Sequence, residues 1–343
     1  MLFIISQWTV ESLLYLVDEI IWTSSPPVKH AYTTTQLAEP RARLSLQFIL
    51  RRSLLLMTPL LFALASCDKG PLHEDLVIHG NTPPPFEGVS TVQLQTYINK
   101  LHIDLLGRGP TVSELEAMTE SFKSEDFTEE DLDDVLTDMQ NTYEWAKSYD
   151  AHTKGRFLNG TDSFAINESI LIYESNVEYY YDIGDTVLAV LVGKLLQDLI
   201  ELQDAGRNLW TGFVDFNEYH RRHLINPFYD EINMGSENYV LACFENLYFR
   251  EPTESELDQG VLMVDGISSF LFLQDGDSKR DFAEIAVRAD PYYEGLVIEA
   301  YTLLLARRPD SWEMASQVED LKETGDYRAL QRHIVKGSEY AGF

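Results

Sequence analysis

Two histidines three residues apart, His220 and His223, are the residues of this chain best placed to bind a metal. A spacing of three puts both imidazoles on one face of a helix, and imidazole nitrogen is a common zinc ligand. Asp230 or Glu231 could complete the ligand set. However, the zincin helix has a spacing of four, and no third ligand is fixed by spacing here. We therefore expect a surface helix whose histidines and neighbouring arginines pair with carboxylates, with a metal-dependent hydrolase as an alternative.

An acidic segment with Asp275, Asp277 and Asp281 has part of the spacing of a calcium loop. Lys279 occupies a ligand position of that pattern and no glycine follows it, so an acidic turn is predicted instead. The sequence contains no glycine-rich phosphate loop, no nucleophile elbow and no Cys-x-x-Cys-His haem site. These patterns favour a protein without catalytic residues or cofactors over an enzyme.

Cys67 offers a different chemistry, because it ends the quartet Leu64-Ala65-Ser66-Cys67. Arg51 and Arg52 precede an apolar stretch that leads into this quartet, which is the charge order and length of a secretory signal. The quartet resembles the lipobox of bacterial lipoproteins. That resemblance implies a diacylglycerol on the Cys67 thiol and Cys67 as the first residue of the mature protein. The alternative is an ordinary buried cysteine in an apolar helix.

The lipoprotein resemblance implies an address in the bacterial cell envelope, with an anchor in the inner or outer membrane. The N-terminal part then divides into an extension over 1–49, a signal peptide over 50–66 and a Pro/Gly-rich linker over 67–92. A start site assigned too far upstream would explain the extension. The membrane is an expected partner through the anchor, because each buried methylene of an acyl chain contributes about 0.8 kcal/mol.

Composition narrows the function further. The chain has 343 residues, of which 45% are apolar, so it can bury a core and is not disordered. It has 26 basic and 56 acidic residues and a net charge of −30, and all of this net negative charge belongs to the part that follows residue 66. Such a surface repels nucleic acid, and we expect no nucleic-acid partner. Two cysteines are too few for a disulfide scaffold.

One short pattern occurs three times, with an arginine, a proline two residues later, a threonine or aspartate next, and a glutamate three residues after that. The copies are Arg108, Pro110, Thr111 and Glu114; Arg250, Pro252, Thr253 and Glu256; and Arg307, Pro309, Asp310 and Glu313. The last two residues of each copy form a capping box, which begins a helix, and the proline ends the helix before it. We expect the arginine in the last turn of that earlier helix, where it caps carbonyls or pairs with an acid.

These copies predict an all-α fold of three helix-turn-helix repeats of about 50–60 residues. The predicted ranges are 93–148, 235–293 and 294–343. Each repeat is expected to close on a helix that ends near a tyrosine, namely Tyr143, Tyr292 and Tyr340. Tyr248 and Phe249 replace the Leu-Gly of the first turn, which leaves the turn geometry of repeat 2 open.

Two family resemblances follow from the repeats. Repeat 3 contains LLLARRPDSWEM and closes on GSEY. It resembles an all-helical domain of unknown function in exported bacterial proteins, which has the signature LLGRxP…SxEY. Repeat 1 contains DLLGRGPTVSEL and also resembles the DLxGxxPTxxE domain of unknown function of planctomycete-type exported proteins. Both resemblances imply a helical, exported protein, and neither supplies a catalytic residue.

An insertion over 149–234 separates repeats 1 and 2. Its apolar stretch 187–202 predicts an amphipathic helix that is closed by Gly206. Aromatic residues surround this stretch, among them Tyr179 to Tyr181, Trp210 and Phe216. Exposed rings of this kind could stack on sugars.

The sequence as a whole predicts a lipid-anchored cell-envelope protein that acts as a non-catalytic interaction or assembly component, with envelope proteins as partners. Glycan or peptidoglycan binding through the aromatic insertion is the first alternative. A metal-dependent envelope hydrolase around His220 and His223 is the second.

Overall fold

Helices make up most of the part of the protein that the computed structural model describes, which is residues 85–343. The predicted all-α fold class is confirmed. The expected extension 1–49, signal peptide 50–66, Cys67 and most of the linker 67–92 lie outside the described residues. Within 85–343, none of the helices has the length and apolar character needed to cross a bilayer.

Each repeat contains a long helix, a capped helix and a shorter third helix. Repeat 1 has α1 (Thr91–Leu106), α2 (Val112–Phe122) and α3 (Glu129–Gln140). The insertion has α4 (Tyr143–Phe157), α5 (Ser163–Asp182), α6 (Thr186–Gln203), α7 (Ala205–Trp210), α8 (Phe216–Leu224) and α9 (Pro227–Ile232). Repeat 2 has α10 (Ser236–Tyr248), α11 (Glu254–Val264), the strands β1 (Ser269–Leu271) and β2 (Gln274–Gly276), and α12 (Lys279–Ala286). Repeat 3 has α13 (Asp290–Leu305), α14 (Ser311–Thr324), α15 (Tyr327–Lys336) and the single turn α16 (Ser338–Ala341).

Two predicted repeat boundaries fall inside helices. The boundary at 148/149 lies within α4 and the boundary at 293/294 lies within α13. The reason is that the aromatic closing segments begin the next helix, whereas we expected them to end one. The third residues of α4, α13 and α16 are Trp145, Tyr292 and Tyr340. Trp145 is therefore the counterpart of the two tyrosines, and the match to Tyr143 was wrong by two positions.

Each long helix ends at a residue in the left-handed backbone conformation. Gly107 has φ 71°, and Phe249 and Ala306 each have φ 54°. Side chains rarely adopt this conformation, so Phe249 and Ala306 are held there by their surroundings. Repeat 2 keeps the turn geometry of repeat 1, because Phe249 makes the turn that Gly107 makes there.

The repeated arginine follows this left-handed residue and joins the turn to the next helix. Arg108 donates to both carboxylate oxygens of Glu114, at 2.9 and 2.8 Å. The same two bonds join Arg250 with Glu256 and Arg307 with Glu313. The expected position in the last helical turn was wrong, since each arginine lies two residues beyond the last helical residue. Its guanidinium binds the glutamate instead of the helix carbonyls.

The same glutamates complete the capping boxes. Glu114 Oε2 accepts from the Thr111 backbone amide at 2.6 Å, and Thr111 Oγ1 accepts from the Glu114 amide at 3.3 Å. The capping box is also present in the other two copies. Bonds from Arg307 hold the pKa of Glu313 at about 2. Each carboxylate thus fixes a turn and a helix start together.

In two repeats the arginine binds a second carboxylate. Arg108 donates to Glu144 at 2.8 Å, and Arg307 donates to the two oxygens of Glu339 at 2.7 and 2.6 Å. Glu144 is the second residue of α4 and Glu339 is the second residue of α16, and each of these helices follows the third helix of its repeat. In repeat 2 this position is Pro291, which has no acid to offer.

Repeats 1 and 3 pack directly against each other. Tyr97 on α1 donates to the backbone oxygen of Val335 on α15, at 3.1 Å. Tyr340 donates to Asp104 on α1 at 2.9 Å. The first and last described helices are therefore neighbours, and the three repeats do not form an open linear array.

The insertion contains a hairpin of two long helices, α5 and α6, which pack along one another. Ile166 is the one fully buried residue of α5. The predicted helix 187–202 matches α6, but its predicted end at Gly206 was wrong. Gly206 lies within α7, where an added Cβ would stand 2.9 Å from the Asp150 carboxyl carbon. This glycine permits a close helix approach instead of a cap.

We expect Arg307→Lys to reduce the free energy of unfolding more than Arg250→Lys, because Arg307 binds two carboxylates and Arg250 binds one. A lysine cannot donate two parallel hydrogen bonds to the glutamate as the guanidinium does. Arg250→Lys should therefore lower the free energy of unfolding by about 1 kcal/mol. Urea unfolding of both variants measures the difference. When Glu339→Gln is added to Arg307→Lys, the free energy of unfolding should not fall further. Equal losses at the two arginines would contradict the role assigned to the second glutamate.

Candidate functional site

His220 and His223 lie on α8 and are completely buried. The expectation of a surface helix was wrong for this face of α8. The helix begins with Asp215 as its cap, and its histidines point towards aromatic residues of the insertion, Tyr149, Phe157 and Tyr219. The histidines are therefore part of the interior that joins the insertion to the repeats.

A chain of hydrogen bonds runs through His220. Its Nδ1 lies 2.8 Å from the Tyr292 hydroxyl, and its Nε2 lies 3.3 Å from the Tyr149 hydroxyl. Tyr149 donates to Glu299 Oε2 at 3.3 Å. Because a carboxylate can only accept, Tyr149 must receive its own bond from His220 Nε2–H. Nδ1 then accepts from Tyr292, and the ring is a neutral imidazole in one tautomer.

Glu299 also pairs with Arg156, which connects the insertion to repeat 3. Arg156 Nη2 on α4 lies 2.9 Å from Glu299 Oε1 on α13, and the glutamate side chain is only 1% exposed. Neither Arg156 Nε nor Arg156 Nη1 has a hydrogen-bond partner within the described residues. Removing one member of a buried pair leaves the other charge uncompensated, which costs about 3–5 kcal/mol.

A second buried group surrounds Asp150 on α4. Lys154 pairs with Asp150 Oδ2 at 2.8 Å, and Tyr219 donates to Asp150 Oδ1 at 3.1 Å. His223 Nε2 lies 3.7 Å from the same Oδ1, while its Nδ1 donates to the backbone oxygen of Tyr219 at 2.9 Å. We call these residues, together with Arg156, Tyr149, His220, Tyr292 and Glu299, the buried polar network.

Burial decides the protonation of the network. Removal from water lowers the pKa of His220 well below its usual value and lowers the pKa of His223 to about 4, in spite of nearby Asp150. Burial also raises the pKa of Tyr149 and Tyr292 well above their usual values. At neutral pH both histidines are uncharged and both tyrosines are protonated.

The predicted metal ligands are not brought together. Within 85–343 there is no group of three or more histidine, cysteine or acidic side chains arranged to hold a metal ion. Both nitrogens of His220 contact tyrosine hydroxyls, and Asp230, a predicted further ligand, pairs with Lys279 at 3.1 Å. The polar groups of the network bind one another, which is typical of buried residues that stabilise a fold.

The acidic segment of repeat 2 forms a hairpin and a helix start where we expected a single acidic turn. Asp275 lies in β2, and Asp281 accepts from the Asp277 amide at 3.1 Å and from the Ser278 hydroxyl at 2.7 Å. Asp281 therefore serves the cap of α12. Phe272 and Leu273 make the hairpin turn, with φ 49° and 65°.

The aromatic residues of the insertion do not form one surface. Phe216 is buried, and Trp210 packs on Tyr143 and donates to the backbone oxygen of Asn141 at 2.7 Å. Tyr179 and Tyr181 are exposed, but residues two apart on a helix point in different directions. A flat stacking platform for sugars would need rings on the same face.

Helix α5 exposes apolar residues on the side that α6 does not cover. Phe164, Leu171, Ile172 and Tyr179 are between 44% and 68% exposed. Their spacing of seven, eight and fifteen residues from Phe164 places them along one side of the helix. We call these four residues the free face of α5, and it is the best candidate for a binding surface in the described residues.

Neither the network nor the free face was identified as a unit from the sequence. Glu299 interrupts an apolar helix, which is the one signal that could have indicated a buried charge in α13. The apolar residues of α5 do not indicate by themselves which side faces solvent. Comparison with protein-family models, with curated proteins and with solved structures gave no match to this chain.

We expect the fold to lose stability as the pH falls from 6.5 towards 4. Unfolded histidines take up protons near a pKa of about 6.5, whereas the pKa of folded His223 is about 4 and that of folded His220 is also lowered. The unfolded state binds more protons in this range, so the free energy of unfolding falls with pH, by about 2 kcal/mol at pH 5 for His223 alone. Urea unfolding at pH 7 and at pH 5 measures this loss.

Two variants locate the effect. His223→Gln does not titrate in this range and should show a smaller stability difference between the two pH values. His333→Gln, which replaces an exposed histidine on α15, should keep the full difference. An unchanged difference in His223→Gln would contradict the burial of a neutral imidazole.

Proposed function

We propose that this chain is an exported, lipid-anchored protein of the bacterial cell envelope that acts as a non-catalytic interaction or assembly component. The observation that carries the interaction role is the free face of α5, an apolar surface on a helix that the rest of the described chain leaves uncovered on that side. Apolar residues grouped on one exposed face of a helix are a common feature of protein interaction sites.

The proposed localisation in the cell envelope is based on the sequence. The Leu64-Ala65-Ser66-Cys67 quartet follows Arg51, Arg52 and an apolar stretch, in the order of a lipoprotein signal. Cys243, the second cysteine, is buried on α10, where burial raises the pKa of its thiol well above the usual value. Cys67 is therefore the thiol that fits a modification.

The non-catalytic role is supported by the contacts of the chemically capable residues. His220 sits between two tyrosine hydroxyls, Asp150 binds Lys154 and Tyr219, and Glu299 binds Arg156 and Tyr149. These contacts tie α4 and α8 of the insertion to α13 of repeat 3. Such residues position the hairpin that carries the free face.

A photo-crosslinking amino acid placed at position 171 should capture an envelope protein in growing cells, because Leu171 lies on the free face. The same amino acid at position 197, an exposed site on α6, is the matched control and should capture much less. Mass spectrometry identifies the captured chain and measures the mass of the mature N-terminal peptide.

The anchor is tested in the same cells. Cys67→Ser should leave the protein without lipid, shift it out of the membrane fraction and remove the crosslink at position 171. Cys243→Ser should keep both the lipid and the crosslink. Equal capture at positions 171 and 197 would contradict the interaction role, and a mature protein without lipid on Cys67 would contradict the address.

A further inference from the structure

We infer that the free face of α5 binds an amphipathic helix of a partner protein whose apolar stripe is flanked by lysine or arginine. This inference rests on the proposed function and adds to it the chemistry of the partner. Three features of α5 support it. The helix is apolar on two sides, its charged residues are all acidic, and these acids form no ion pair with any residue of 85–343.

Helix α5 is apolar on two sides, of which one packs against α6 and the other is exposed to solvent. The residues buried or half buried along its inner side are Ile166, Ile170, Tyr173, Val177 and Tyr180. Their spacing of three and four residues is that of a helix packed lengthwise on a neighbour, which here is α6. The free face lies on the opposite side and repeats at seven-residue intervals, from Phe164 to Leu171 and from Ile172 to Tyr179. A second helix can pack along such a stripe as α6 packs along the first.

The charge of α5 selects the partner. Its 20 residues include Glu168, Glu174, Glu178 and Asp182, and they include no lysine, arginine or histidine. None of these four carboxylates takes part in an ion pair with any residue of 85–343. Elsewhere, carboxylates such as Glu218 bind two arginines each. Glu168 lies within the free face, four residues from Phe164 and four from Ile172. An apolar stripe with unpaired acids in and beside it is complementary to an apolar stripe accompanied by bases.

The same charge disfavours two other occupants. A second copy of this chain would bring the same carboxylates against each other, in a protein whose net charge is already −30. An anionic lipid surface would be repelled for the same reason. A basic amphipathic helix of about 20 residues, roughly 30 Å long, matches both the length and the sign of the surface.

The test uses a fluorescent 18-residue peptide of leucine and lysine that is patterned as an amphipathic helix. The full-length protein is held in phosphatidylcholine nanodiscs, and empty nanodiscs provide the blank. Fluorescence anisotropy should show binding that weakens with added salt. A scrambled peptide of the same composition, and a peptide with glutamate in place of lysine, should bind at least tenfold more weakly.

Matched variants locate the peptide on α5. Leu171→Gln should weaken binding about tenfold, and Ile103→Gln, which replaces an exposed apolar residue of α1, should leave it unchanged. The double variant Glu168→Gln and Glu178→Gln should also weaken binding about tenfold. The control with the same net charge is Glu116→Gln with Glu120→Gln on α2, which should bind as the parent does. Circular dichroism confirms that each variant keeps its helix content.

Several results would overturn the inference. These are equal binding of the lysine and glutamate peptides, equal loss in the α2 control pair, binding to empty nanodiscs that matches binding to the protein, or a dimer in sedimentation that Leu171→Gln dissociates. A partner captured at position 171 in cells, combined with no peptide binding at α5, would leave the proposed function in place and remove only the basic helix. Peptide binding at α5 without any capture in cells would support the surface chemistry and contradict the proposed function.

Discussion

The ion pair between Arg156 and Glu299 is the interaction on which the arrangement of the described chain depends. It joins α4 of the insertion to α13 of repeat 3, and the glutamate has almost no contact with solvent. Taking both charges out of water costs several kcal/mol, which their attraction and the bond from Tyr149 must offset. The helices around the pair therefore have one favourable relative position, because any shift would leave a buried charge without its partner.

Two kinds of polar contact stabilise the fold, one local and one long-range. The Arg–Glu pairs of the repeats are local, with partners six positions apart in the sequence, and each fixes a turn against the start of the next helix. The buried polar network is long-range and joins residues more than seventy positions apart, such as Tyr149 and Glu299. Together the Arg–Glu pairs and the buried polar network fix the positions of α4 and α8. The hairpin of α5 and α6 lies between these two helices in the chain.

The local part of this architecture could be predicted from the sequence, and the long-range part could not. The capping boxes at Thr111, Thr253 and Asp310 depend on residues three positions apart, so spacing alone reveals them. The partner of Glu299 is Arg156 of the insertion, more than a hundred positions away, and no spacing encodes it. The turn at Phe272 and Leu273 lacks the glycine or asparagine that normally signals a hairpin. On α5, apolar residues occur on both sides, and only packing shows which side stays exposed.

A double-mutant cycle on the free energy of unfolding tests most directly whether the chemically capable interior residues serve the structure. The variants are Arg156→Met, Glu299→Gln and the two combined. If the pair holds the insertion on the repeats, each single change is strongly destabilising and the coupling between them is about 2 kcal/mol or more. Losses that add to within about 0.5 kcal/mol, in variants nearly as stable as the parent, would contradict the account, because residues that serve catalysis or ligand binding are often held at no gain in stability.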